Sequence, residues 1–231
     1  MPFFSKNEVL AIAVASIMMG YLLAFKQLTW LSWLSYAGIA ALIVLIHHFG
    51  YKFSARLLDC STETHLWTMK QFLLSTKSHF KRPFPVWLFV PLILVWLTLG
   101  AVKWLGIVTF EVIPLPSRVR FRWRELTEWH VALIATGAAF ANILAAIIAK
   151  VLGFEAFATY NLLFVFFSML PIGLDGTKIF FGSRLLWVFM IVFSLILLLL
   201  MQTLSPIYTV ISAIVIGIFA LFVFYLFYES S

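Results

Sequence analysis

Apolar residues occur in seven long runs that are separated by polar segments. The runs cover residues 8–25, 30–51, 85–107, 129–153, 156–174, 185–202 and 206–228. A helix needs about 20 consecutive apolar residues to cross the hydrocarbon core of a bilayer. The runs reach or nearly reach that length, so the pattern predicts an all-α polytopic membrane protein. We expect a single transmembrane domain over residues 1–231.

The composition supports a membrane environment. Hydrophobic residues make up 64% of the chain, charged residues only 11%, and the mean hydropathy is +1.07. A soluble domain has about a quarter charged residues. The formal net charge is +7, but the basic residues lie in short segments between apolar runs. This placement favours the lipid bilayer, with its anionic headgroups, over nucleic acid as the partner.

Two basic segments, 52–84 and 108–128, predict the topology. Positively charged loops of membrane proteins lie on the cytoplasmic side, and seven simple crossings would put these two on opposite sides. We therefore predict six crossings and a re-entrant path for 85–107, where Pro91 and Gly100 interrupt the apolar run. A full crossing by 85–107 is the alternative. Six crossings place both termini in the cytoplasm, with the protein in the cell membrane.

Arginine and apolar residues alternate strictly from Arg118 to Arg124. A period of two is typical of a strand with one apolar and one basic face. The pattern predicts a short interfacial β element whose edge accepts an extended peptide. A basic juxtamembrane loop without a special role is the alternative.

Polar residues mark the ends of the second and fifth apolar runs. The second run ends with His47, His48, Phe49, Gly50 and Tyr51, and the fifth with Leu174, Asp175 and Gly176. In the six-crossing topology both runs point toward the cytoplasm, so the two groups can meet. Ionisable residues in membrane segments are functional candidates. The alternatives are that the histidines end a helix at the interface, and that Asp175 lies in a turn, paired with Lys178.

The first of these groups has the spacing of a zinc motif but lacks part of its chemistry. Histidines at i and i+4 of a helix present two ligands on one face, with a glutamate beside them as the general base. Here His47 is the first ligand, His48 stands at the glutamate position, and Tyr51 stands at the second ligand position. With Asp175, the set holds two plausible metal ligands, whereas catalytic zinc normally has three protein ligands and a water.

These residues resemble those of the site-2 proteases, zinc metalloproteases that cut substrates within the membrane. That family carries His-Glu-x-x-His, a Gly-Pro-containing stretch ending in Asn, and Leu-Asp-Gly, in this order. The corresponding segments here are 47–51, 137–142 and 174–176. The similarity covers roughly residues 30–185. Within the family, the chain most resembles the compact archaeal and bacterial forms. The resemblance implies that His47 and Asp175 are zinc ligands and that Asn142 contacts the substrate.

The departures from the family pattern imply that proteolysis has been lost. His48 removes the base, Tyr51 removes a ligand, Ala138 and Ala139 replace Gly-Pro, and Ser168 replaces an expected Asn. We expect no cofactor, or zinc if the protein is active. The leading hypothesis is a catalytically inactive homologue that binds a membrane partner or a substrate helix. One alternative is an active protease with an additional ligand, such as His130 or, after distortion of the helix, His48. The other is a structural subunit of a membrane complex.

The small residues between 137 and 141 also have a simpler interpretation. Glycine and alanine allow membrane helices to approach each other closely. In that interpretation Asn142 forms a hydrogen bond between helices and has no direct role in substrate binding.

Overall fold

The computed structural model describes residues 4–71, 79–115 and 125–229, most of them in helices. The chain packs into two compact units. Unit 1 comprises Met1–Leu45 and Glu63–Glu111, and unit 2 comprises Ile46–Thr62 and Val112–Ser231. The division falls within the second helix and within two of the strands.

Unit 1 begins with a capped helix. Its helical elements are α1 (Lys6–Ala24), a 3-10 turn (Phe25–Gln27), the first part of α2 (Trp30–Leu57) and α3 (Val86–Leu97). The Ser5 hydroxyl accepts a hydrogen bond from the Glu8 amide, and the Glu8 carboxylate accepts one from the Ser5 amide. This reciprocal cap satisfies amides that the first turn leaves without partners. Glu8 is buried and also accepts a hydrogen bond from the Thr64 amide.

The polar segment 52–84, which the sequence predicts as a basic loop, contains ordered elements. It includes the end of α2 and the strands β1 (Cys60–Leu66), β2 (Met69–Gln71) and β3 (His79–Phe84). β1 pairs with β4 (Val108–Pro114), and β2 pairs with β3. Cys60, Thr62 and Thr64 are buried in alternation. β-branched residues such as Thr62 and Thr64, at a period of two, favour a strand. The sequence prediction for this segment considered only its charges and so did not include the strand.

Helix α3 is shorter than the apolar run that contains it. It has 12 residues, or about 18 Å at 1.5 Å per residue, against about 30 Å of hydrocarbon core. Leu99 and Gly100 follow it with φ angles of 49° and 76°, and the chain turns there towards β4. A helix of this length is too short to cross the core alone, and the re-entrant path of residues 85–107 stays a prediction.

Unit 2 consists mainly of helices that follow β4. They are α4 (Glu128–Val151), α5 (Glu155–Ser168), α6 (Asp175–Gly182), α7 (Arg184–Leu200) and α8 (Pro206–Glu229). Between α4 and α5, Gly153 has a φ of 83° and the Phe154 amide bonds to the Ala149 carbonyl. A left-handed glycine of this kind ends a helix and reverses the chain.

The helices confirm the coarse prediction of a mainly helical membrane protein. Within the described residues, four helical segments are long and apolar enough to cross a bilayer: Lys6–Gln27, Trp30–Leu57, Glu128–Val151 and Pro206–Tyr228. α5 and α7 are apolar but have only 14 and 17 residues. The six predicted crossings thus include two short helices. The strand predicted for Arg118–Arg124 lies outside the described residues.

Candidate functional site

A cluster of five buried polar side chains lies within unit 2. α2 contributes His47 and Tyr51, α4 contributes Asn142, α5 contributes Asn161 and α6 contributes Asp175. Each has a relative exposure of 0%. Buried polar groups are stable only when they are hydrogen-bonded, and the cluster meets this requirement largely through its own members.

Asp175 joins the two α2 residues. Its Oδ2 atom lies 2.9 Å from His47 Nε2 and accepts a hydrogen bond of 2.5 Å from the Tyr51 hydroxyl. His47 and Tyr51 are four residues apart on α2, so their side chains lie on the same face of the helix. The sequence predicts that the ends of the second and fifth apolar runs can meet, and the structure brings His47 and Asp175 into contact.

The other side of His47 leads to two asparagines. His47 Nδ1 lies 2.9 Å from Asn142 Oδ1, and Asn142 Nδ2 donates a hydrogen bond of 2.6 Å to Asn161 Oδ1. The His47 ring also makes edge contacts with Tyr51 and Phe164, at centroid distances of 4.5 and 4.9 Å. The imidazole is therefore fixed in both position and orientation.

Two proton arrangements satisfy this chain of hydrogen bonds. With the amide orientations above, His47 Nδ1 donates to Asn142 Oδ1, and one proton lies between His47 Nε2 and Asp175 Oδ2. If both amides rotate by 180°, Asn142 donates to Nδ1, and a neutral imidazole donates from Nε2 to Asp175. The donor and acceptor inventory of histidine and asparagine permits both arrangements.

A close backbone approach positions Asp175. It is the first residue of α6, directly before Gly176. A Cβ atom on Gly176 would overlap the Met169 carbonyl and lie 2.8 Å from the carbonyl carbon of Leu170. The Gly173 amide also donates to the Thr177 hydroxyl at 2.6 Å. The absence of a side chain at Gly176 thus allows the first turn of α6 to lie directly against the end of α5.

The second close approach joins α2 to α4. A Cβ atom on Gly50 would lie 2.6 Å from the Ala138 Cα atom and 3.0 Å from the Ala141 Cβ atom. Small residues on both helices thus place the α2 backbone directly against α4. This contact supports the packing interpretation of the small residues and brings His47 within reach of Asn142.

In the arrangement that the structure shows, these side chains do not form a three-ligand zinc site. A zinc site of this type needs three protein ligands, whose nitrogen or oxygen atoms lie about 2.0–2.2 Å from the metal. The Tyr51 hydroxyl instead donates to the carboxylate oxygen that His47 also contacts. His48 is buried, but consecutive helical residues point about 100° apart, so it lies on another face of α2. The described residues contain no group of three metal-ligating side chains.

The other residues that the sequence analysis singled out form the following contacts. His130, the possible third ligand, forms a 2.6 Å hydrogen bond with Thr127 at the start of α4. The Ser168 hydroxyl, at the expected Asn position, donates to the Phe164 carbonyl. Asp175 is the first residue of α6, and its buried side chain contacts His47 and Tyr51. The assignment of Asn142 to substrate stays a prediction, because its amide also bonds within the protein.

Sequence reasoning missed Asn161 and Phe164. Asn161 is a polar residue within an apolar helix, and such residues commonly form contacts between helices. That signal was available in the sequence. Phe164 gave no such signal, since α5 contains several other phenylalanines.

Comparison with protein-family models, with curated proteins and with solved structures found no match to this chain.

Proposed function

We propose that this chain is a catalytically inactive, site-2-protease-like membrane protein that binds a transmembrane helix of a partner. The hydrogen bond from the Tyr51 hydroxyl to Asp175 Oδ2 carries the proposal. It replaces metal coordination with a direct interaction between side chains, at the position where the family resemblance requires the second histidine.

The absence of a glutamate at the position of the general base supports the same proposal. A zinc-bound water needs an acceptor for its proton, and a glutamate beside the first histidine serves in this motif. His48 occupies that position. Loss of a ligand and of the base together removes both requirements for hydrolysis, whereas the α6 connection that positions Asp175 is retained.

The finer architecture is part of this proposal. It has a site-2-protease-like helical core with six crossings, in which α5 and α7 cross despite their length. α3 is the re-entrant element, both termini are cytoplasmic, and the protein lies in the cell membrane. Neighbouring helices shield short or broken segments from lipid in such a core.

The exposed face of α2 is the proposed binding surface for the partner. Phe49, Phe53 and Leu57 follow each other at intervals of four residues and have exposures of 48%, 68% and 65%. This spacing forms one stripe along the helix that carries His47 and Tyr51. Aromatic side chains are enriched at the energetic centres of protein interfaces, which favours a partner helix at this stripe.

Zinc content tests the loss of catalysis. Purified protein should contain far less than one zinc per chain, and the double variant His48→Glu/Tyr51→His should gain zinc because it restores the third ligand. Tyr51→Phe is the matched control, since it removes the hydroxyl without adding a ligand. One tightly bound zinc per unmodified chain, lost on His47→Ala, would contradict the proposal.

Site-specific crosslinking tests the partner. A photoreactive residue at Phe53 should give a discrete crosslinked species in cells. The same residue at Val215 of α8, which is 61% exposed, should give only diffuse lipid adducts. Equal patterns at both positions would argue for a solitary protein without a helix partner.

A further inference from the structure

An apolar groove lies where α1 meets α2 in unit 1. It has a volume of about 540 Å³, and its walls include Ile17, Trp30, Trp33, Leu34 and Ala37. A second groove of about 390 Å³ shares Trp30 and Trp33 and also includes Tyr21 and Thr29. The two tryptophans thus line both grooves.

The walls of these grooves are fixed by interactions within unit 1. The Trp33 indole donates a hydrogen bond of 3.2 Å to the Ile17 carbonyl of α1. The Trp30 and Trp33 rings lie 5.3 Å apart, and Trp30 remains 82% exposed. Tryptophan prefers the boundary between headgroups and acyl chains, which matches the end of a candidate membrane span.

Two lysines lie near the end of α1. Lys26 belongs to the 3-10 turn between α1 and α2, two residues before Leu28, which lines the smaller groove. The ammonium group of Lys103 donates a hydrogen bond of 3.1 Å to the Leu23 carbonyl, near the end of α1. Partial burial and the nearby charge of Lys26 lower the pKa of Lys103. The two positive charges are therefore close enough to repel each other.

Further contacts fix Lys26 and the 3-10 turn at the end of α1. A Cβ atom on Gly100 would lie 3.2 Å from Lys26 Cγ, so the stem of Lys26 packs against that turn. The Gln27 carbonyl accepts a hydrogen bond of 2.5 Å from the Ser32 hydroxyl, which fixes the 3-10 turn to the start of α2. The lysine and the tryptophans consequently belong to one ordered corner of unit 1.

We propose that this corner binds one anionic phospholipid, with an acyl chain against Trp30 and Trp33 and the phosphate at Lys26 and Lys103. An anionic headgroup relieves the repulsion between the two ammonium groups. The aromatic walls provide the apolar contact that a free phosphate would not use. The occupant is therefore an intact lipid.

Tryptophan quenching in reconstituted protein tests this site. The protein is reconstituted in phosphatidylcholine vesicles that contain increasing fractions of one lipid with brominated acyl chains. In one series the brominated lipid is phosphatidylglycerol, and in the other it is phosphatidylcholine. The brominated phosphatidylglycerol should quench at a markedly lower fraction than the brominated phosphatidylcholine. Lys26→Gln should reduce this preference about fivefold, the size expected for one basic residue near an anionic membrane surface.

Matched variants separate a specific site from general attraction. Lys26→Arg should keep the preference, and Trp30→Phe should remove most of the quenching difference. Lys6→Gln, at the opposite end of α1, should leave the preference unchanged. Equal quenching by both lipids, or an equal effect of Lys6→Gln, would overturn the proposal in favour of ordinary surrounding lipid. Concentration-dependent crosslinking of two chains at Leu31 would overturn it in favour of a second copy in the groove.

Discussion

Tyr51 changes the chemistry of the cluster through a single hydroxyl group. An imidazole at this position would offer a lone pair to a metal, whereas the phenol offers a proton to Asp175. Asp175 Oδ2 then has two neighbours, Tyr51 and His47, while Asp175 Oδ1 is buried without a hydrogen-bond partner among the described residues. The Tyr51 hydroxyl is thus an essential donor to a carboxyl group with few partners.

We expect Tyr51→Phe to lower the free energy of unfolding by about 1–3 kcal/mol, the range for a buried polar group that loses a hydrogen-bond partner. Unfolding in mixed micelles with increasing denaturing detergent measures the change. Tyr208→Phe is the matched control, because Tyr208 is 67% exposed. The role assigned to the hydroxyl is wrong if both variants unfold at the same detergent fraction.

At the scale of elements, the contact between α2 and α4 determines whether the cluster forms. Gly50 faces Ala138 and Ala141, and Gly137 of α4 faces Ser54 of α2 in a similar way. Membrane helices gain no hydrophobic energy from association in lipid, so close packing of small residues contributes much of their stability. A small increase in volume at Gly50 therefore separates the helices that carry His47 and Asn142.

Gly50→Ala should destabilise the protein by about 1–3 kcal/mol, because an added methyl group overpacks this contact. Gly38→Ala is the comparison on the same helix, since an added Cβ at Gly38 meets nothing within 4 Å. That variant should be neutral or stabilising by up to about 1 kcal/mol, because alanine favours the helix. The detergent-unfolding measurement applies to both, and equal effects would refute the close approach.

For the whole molecule, the side of the membrane on which α6 lies distinguishes two topologies. Six crossings place α6 in the cytoplasm together with the basic segments. The same six crossings in the reverse orientation would place α6 on the opposite side. The orientation of the chain therefore decides which face of the membrane gives access to the region of Asp175.

A cysteine at Phe181, which is 70% exposed, should react with a membrane-impermeant maleimide only from the cytoplasmic side. The background is Cys60→Ser, which removes the only native cysteine. A cysteine at Leu152, between α4 and α5, should react from the side opposite to that of Phe181 in both topologies and serves as the control. Labelling of both positions from the same side would contradict six crossings.

Parts of this structure could be predicted from the sequence because they depend on local signals. The apolar runs predicted the long helices, and the spacing of His47 and Tyr51 placed both on one face of α2. β1 and its neighbours were missed, since the segment that contains them was interpreted from its charges. The hydrogen bond between Tyr51 and Asp175 could not be predicted either, because it depends on the packing of helices that are 124 residues apart in sequence.

The hydrogen bond between Asn142 and Asn161 has a consequence for how the chain enters the membrane. The two residues lie on α4 and α5, which only three residues connect. Each asparagine alone would expose an amide to hydrocarbon and oppose release of its helix from the translocon. Paired across the turn, they satisfy part of each other's hydrogen-bonding capacity, so α4 and α5 should be inserted together as one helical hairpin during synthesis.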